Sequence, residues 1–220
     1  TFDIASIFGT RIYNIIHQFK EVNQLLLSDK DLNKSIDSVL NEIKSAGQED
    51  ALGELRGVLF ELLMFPLLKQ IFSGANHQRG KTLSIIDDDK NKESYEYDYI
   101  FDSNHPKEII VVELKGYNAR ATISTGHYNK KRTLKWFFER TLPFAKKHST
   151  AEIANGKKFR GLYITTGQLW PDGLEYLGEL NKGTLRPSKL EGGYHRDTLI
   201  KLLKEYGFDN DVRIIEKYFA

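Results

Sequence analysis

The run Ile109-Ile-Val-Val-Glu-Leu-Lys115 constrains this chain more than any other segment. Successive side chains of a strand point to opposite faces, so a nearly continuous apolar run describes a strand covered on both sides. Such a strand needs a layer of structure above it and another below. That requirement points to a mixed sheet between helices, an α/β architecture. Glu113 and Lys115 close the run two residues apart and so share one face. Charges beside a buried strand are costly without a partner or a task. The acid-x-lysine pattern itself is uninformative, since it also occurs at Glu42-Ile-Lys44 and Asp88-Asp-Lys90. The first of those lies on an expected helix and the second in an acidic turn. Only Glu113-Leu-Lys115 lies on a central-looking strand.

Helical spacing of apolar residues runs through 1–46, then again from Asp50 to about Phe72. The second of these stretches is apolar enough to be buried on most sides. Strands are expected at Thr82–Ile86, at Tyr95–Phe101 with its period-two alternation, at Ile109–Lys115 and at Arg160–Thr166. Asp87–Ser94 and Asp102–Lys107 are polar connections. Residues 128–147 and Pro171 to Leu180 read as helices, 181–193 as a Gly- and Pro-containing loop, and 195–219 as helix broken near Gly207. The expected divisions are an N-terminal helical extension at 1–50, a core at 51–180, and a C-terminal loop and helical extension at 181–220. Together they would form one compact unit.

Carboxylates gather around the central strand. A turn centred between His105 and Pro106 places Asp98 opposite Glu113, with side chains roughly 5 Å apart. Asp102 would face Ile109 instead, roughly 13 Å from Glu113 along the strand. Two carboxylates this close repel unless a cation lies between them or one is protonated. On the apolar helix before the sheet, Glu61 and Glu54 are alternative third carboxylates. Such oxygen ligands suit Mg²⁺, with Mn²⁺ as a substitute, and Mg²⁺ keeps waters and bridges to phosphate. Lys115 beside them would orient a water or stabilise charge on a phosphoryl group. The same residues also fit a buried ion-pair cluster without chemistry, although one lysine cannot balance three carboxylates.

The order helix, three strands, helix, strand, with Asp98 on the second strand and Glu113-Leu-Lys115 on the third, resembles the PD-(D/E)XK nuclease superfamily. Gly57-Val-Leu-Phe-Glu61 is similar to a pattern on the first helix of many members. The resemblance covers roughly residues 51–170 and implies a restriction-endonuclease-like fold, an αβββαβ core with helical extensions. It implies Asp98 and Glu113 as metal ligands, Glu61 rather than Glu54 as an auxiliary ligand, and Lys115 as the catalytic lysine. Tyr97 stands where the family name has proline. A Gln-x-x-x-Tyr motif does not follow, so the RecB-like branch is not indicated.

The formal net charge of +2 conceals a segregation. Residues 85–113 hold nine acids and three lysines, a net −6. Residues 115–160 hold twelve basic residues and two acids, a net +10. Arg120, Lys130, Lys131, Arg132 and Lys135 are the candidate nucleic-acid contacts, at a loop and helix start following the proposed metal-binding strand. The absence of cysteine excludes disulfide scaffolds, thiolate zinc sites and cysteine nucleophiles. The six histidines form no metal-ligand pair at i, i+2 or i, i+4. The expected function is therefore Mg²⁺-dependent hydrolysis of phosphodiester bonds, with DNA favoured, in a restriction, phage-defence or toxin-domain setting. Its alternatives are an RNA-cleaving toxin domain of the same fold and an inactive binding or assembly module. Expected partners are nucleic acid and, for a toxin domain, an immunity protein or a larger parent protein. A membrane is not expected. The expected location is the cytoplasm, or a target cell's cytoplasm after delivery.

Overall fold

A computed structural model describes residues 49–86, 92–118, 122–123, 134–149, 155–180 and 192–220. The helices expected over 1–46 lie outside these residues. The chain divides into two compact units, Thr1–Leu62 and Leu63–Ala220. Helix α1, Glu49–Ile71, carries Pro66 within it. In its last turns Leu63, Met64, Leu67 and Leu68 are buried, whereas Pro66, Lys69 and Gln70 are exposed. This part of the helix therefore buries one face, not most sides, and its proline sits on the open face.

The second unit is built on a five-stranded mixed sheet in the order β1-β2-β3-β5-β7. Strands β1 (Asn76–Ile86), β2 (Lys92–Asn104) and β3 (Lys107–Lys115) form an antiparallel meander. Strands β5 (Lys158–Thr165) and β7 (Gly192–Tyr194) extend it in parallel with β3. A short parallel pair, β4 (Thr122–Ile123) with β6 (Gln168–Leu169), forms a second sheet. The helices after the meander are α2 (Leu134–Trp136), a π-helical turn (Phe137–Thr141) and α3 (Leu142–His148). They are followed by α4 (Pro171–Leu180), α5 (Arg196–Glu205) and α6 (Asp209–Tyr218). The fold is thus mixed α/β, a five-stranded sheet flanked by helices.

β3 is the centre of this arrangement, and Glu108 through Val112 are all buried. One face of the strand, Ile109 and Val111, packs with Tyr163 of β5 under Leu134, Phe137, Ala145 and Leu177. On the opposite face Tyr99, the register partner of Val112, stacks on Phe65 of α1 with ring centroids 5.5 Å apart. Phe101 meets Phe72 at 5.0 Å. The C-terminal helices bury Leu199, Leu202, Leu203, Val212, Ile215 and Phe219.

β7 lies where the sequence read as loop. Gly193 explains both its presence and its concealment. A Cβ on this residue would collide with the Tyr163 main-chain carbonyl and approach Leu177 Cδ2 to 3.2 Å. Only glycine lets the edge strand come this close, yet glycine carries no strand signal. Gly193→Ala is expected to cost about 1–3 kcal/mol, because a backbone carbonyl cannot move aside as a flexible side chain can. Thermal unfolding measures this, and an unchanged midpoint would contradict it.

Candidate active site at the end of the central strand

The hairpin register agrees with the turn argument. Asn104 pairs with Lys107, and the ladder runs back to Tyr99 opposite Val112. Continued by one position the same register would set Asp98 opposite Glu113, but the regular pairing stops at Tyr99. The ladder between β1 and β2 also passes over this point, going from Arg79↔Tyr99 to Lys81↔Tyr97. The skipped β1 residue is Gly80, whose φ of +59° is the left-handed conformation glycine tolerates. The alternation of β2 breaks at the same place. The Tyr97 hydroxyl donates to the Thr141 carbonyl at 2.8 Å, in the α2–α3 layer, while Tyr99 faces α1. Tyr95, against Phe144 at 4.8 Å, stays on the Tyr97 side. The sequence alternation of Tyr95, Tyr97 and Tyr99 would put all three on one face. The interruption at Asp98 sends Tyr99 to the other.

The interruption frees the Asp98 side chain to act where a ladder hydrogen bond would otherwise form. Its Oδ2 accepts from the Leu114 N–H at 2.5 Å, seating the carboxylate on the peptide that joins Glu113 to Leu114. Lys115, two residues after Glu113, forms an ion pair with it, and both side chains are largely shielded at 18% and 15% exposure. Burial raises the Asp98 carboxyl above the ordinary carboxylate range, against the opposing pulls of Lys115 and the Leu114 N–H. Burial alone would lower the Lys115 ammonium, but Glu113 and Asp98 outweigh it and hold the group above its usual value. Asp98, Glu113 and Lys115 thus form one electrostatic cluster.

The Lys115 main chain is held from β5. Its carbonyl accepts from Thr165 Oγ1 at 2.9 Å and from the Thr166 N–H at 3.2 Å. The Tyr117 N–H donates to Thr166 Oγ1 at 2.7 Å, and that hydroxyl donates to the Tyr117 carbonyl at 2.6 Å. Thr165 and Thr166 are fully buried. Arg196 clamps the following turn, donating through Nη1 to the carbonyls of Thr166 at 3.3 Å and Phe219 at 3.1 Å. None of these supports stood out in the sequence. Their only trace is a pair of threonines at the end of an apolar strand.

Other expected site residues fall differently. Asp102 pairs with Lys157 and opposes Ile109, away from the cluster. Glu61 is half-buried on α1 in the first unit and has interactions of its own. Arg120, Lys130, Lys131 and Arg132 lie outside the described residues, so the basic start expected for the helix does too. Lys135 is described, on α2, in an i,i+4 pair with Glu139 at 3.7 Å. Lys146, Lys147 and Lys158 are exposed. Among the described residues no three His, Asp or Glu side chains gather into a metal-holding group.

Asp98 and Glu113, both acting on Lys115, are the kind of donor set a magnesium ion uses, since it binds through one or two carboxylates and completes its shell with water and phosphate. Both donors are carboxylates, the hard oxygen ligands that magnesium takes. The raised Asp98 carboxyl bears on stability. A raised folded-state pKa means the native protein holds that proton more tightly than the unfolded chain. Ionised Asp98 therefore subtracts from stability above its folded pKa, and the penalty fades as pH falls through that pKa toward 3.8. Asp98→Asn keeps an acceptor for Leu114 and removes the charge. Its thermal midpoint is expected to exceed the parent's at neutral pH without divalent cations, with the gap closing on acidification. A variant less stable than the parent at neutral pH would contradict this.

No helix among the described residues is long and apolar enough to cross a membrane. No protein-family model matches the chain, and no curated protein matches it. Among solved structures, the chain is similar to protein VC1899 from Vibrio cholerae, at 15% identity and a TM-score of 0.43. The likeness covers 94% of this chain and 53% of that one, so the chain spans about half its length.

Proposed function

We propose that this chain is a divalent-metal-dependent nuclease of the PD-(D/E)XK kind, with a restriction-endonuclease-like core and DNA as the favoured substrate. The observation that carries the reading is the Asp98 carboxylate seated on the Glu113–Leu114 peptide, with Lys115 paired to Glu113 beside it. Asp98 and Glu113 would hold Mg²⁺ or Mn²⁺. When bound, such an ion supplies Lewis acidity and an activated water. The side chains do the rest. With a cation bound, Lys115 would give up its pairing with Glu113 and be free to stabilise charge on the non-bridging phosphate oxygens. The water oxygen would bond to phosphorus as the ester P–O bond breaks, and the proton the water gives up would pass through solvent to the leaving oxygen. The pinned main chain at 115–117 keeps the lysine from drifting during this exchange. The net +10 of residues 115–160 suits a polyanionic substrate.

The test incubates supercoiled plasmid and total RNA with the protein in Mg²⁺ or in EDTA, beside Asp98→Ala. Nicking or linearisation in Mg²⁺ alone, lost in the variant, is expected. Degradation of RNA but not plasmid would reassign the substrate. Cleavage of neither would sink the enzymatic reading, and cleavage surviving Asp98→Ala would move the site elsewhere.

A further inference from the structure

Tyr163 occupies the β5 position paired with Glu113. Neighbouring strands lie about 4.8 Å apart, and paired residues project from the same face. Tyr163 is wholly buried, with its ring 6.1 Å from that of Phe137. Its hydroxyl oxygen is buried and has no hydrogen-bond partner among the described residues. Leaving a buried hydroxyl unsatisfied is expensive, and an apolar replacement of the same shape avoids the cost. A phenylalanine would serve the core equally well, so the hydroxyl calls for an explanation outside packing.

The neighbourhood supplies one. Burial holds the Tyr163 phenol well above its ordinary value, and Tyr117, Glu113 and Asp98 add to the shift. A phenol is a hydrogen-bond donor, and its register partner Glu113 carries acceptor oxygens. In the described state Glu113 is satisfied by Lys115. Once Glu113 turns to a cation, Lys115 must leave, and Glu113 needs a new donor from a rigid element.

We propose that Tyr163 is a positioning residue for this site, its hydroxyl donating to the Glu113 carboxylate when Glu113 exchanges Lys115 for a divalent cation. This rests on the reading of Asp98, Glu113 and Lys115 as a metal site. Residues that hydrogen-bond a metal-ligating carboxylate typically contribute about 10–100-fold to metal affinity or activity.

The test compares the full chain with Tyr163→Phe and Asp98→Ala by calorimetric titration with Mn²⁺, alongside thermal unfolding without metal. Tyr163→Phe is expected to bind Mn²⁺ about 10-fold more weakly. Its metal-free midpoint should equal or exceed the parent's, since the hydroxyl makes no hydrogen bond among the described residues in that state. Unchanged Mn²⁺ affinity would overturn the proposal while leaving the metal site standing. A lowered metal-free midpoint would also overturn it, by showing a structural role. If the parent shows no Mn²⁺ binding that Asp98→Ala removes, the metal-site reading falls and this proposal falls with it.

Discussion

Lys115→Ala is expected to slow metal-dependent phosphodiester cleavage by about 10²–10³-fold while leaving divalent-cation binding intact. The two effects separate because the proposed mechanism gives the lysine and the carboxylates different tasks. Lys115 is paired to Glu113, and burial of the cluster strengthens every charge within it. On the proposed reading, removing the ammonium takes a positive charge away from the transition state. The same change leaves Asp98 and Glu113 less neutralised, so Mn²⁺ should bind at least as tightly as before. Asp98→Ala and Glu113→Ala should instead lose cation binding and cleavage together. Single-turnover cleavage of a plasmid and Mn²⁺ calorimetry on the same preparations distinguish these patterns. Loss of cation affinity in Lys115→Ala would show that the lysine supports the site's structure and not its chemistry.

The largest effect on stability is expected from Arg160→Ala. Arg160 of β5 meets Glu108 at the start of β3, Nη2 to Oε2 at 2.9 Å, with the two side chains 13% and 6% exposed. Truncating the arginine leaves a buried carboxylate without that cation, a change that typically costs about 3–5 kcal/mol. For a chain of this length the melting midpoint should fall by about 6–20 °C. Replacing both partners by apolar residues, Glu108→Leu with Arg160→Met, should recover most of the loss, because no charge is then stranded. A single-variant cost below about 1 kcal/mol would mean that Lys158, the register partner of Glu108, takes over the pairing.

The hairpin was legible because its information is local. His105 and Pro106 centre the turn, and one register follows as far as Tyr99 opposite Val112, one residue short of Asp98 and Glu113. The buried run Ile109–Val112 likewise announced a central strand through its own composition. The alternation of Tyr95, Tyr97 and Tyr99 misled, because the break at Asp98 depends on Gly80 of a neighbouring strand and on the Leu114 amide. β7 was hidden because close approach to Tyr163 requires glycines, which weaken any strand pattern. The two-residue strands β4 and β6 are too short to carry a period. Tyr163 itself was masked by a strand that reads as plain core. What distinguishes it is a hydroxyl without a partner among the described residues, visible only once its surroundings are assembled.

The most direct measurement is the position of Mn²⁺ in a crystal of this protein, located by its anomalous scattering. The expected result is a peak about 2.1–2.3 Å from carboxylate oxygens of both Asp98 and Glu113, with Lys115 turned away from Glu113. At saturating Mn²⁺, no peak there, or carboxylates held more than about 8 Å apart, would contradict the shared metal site.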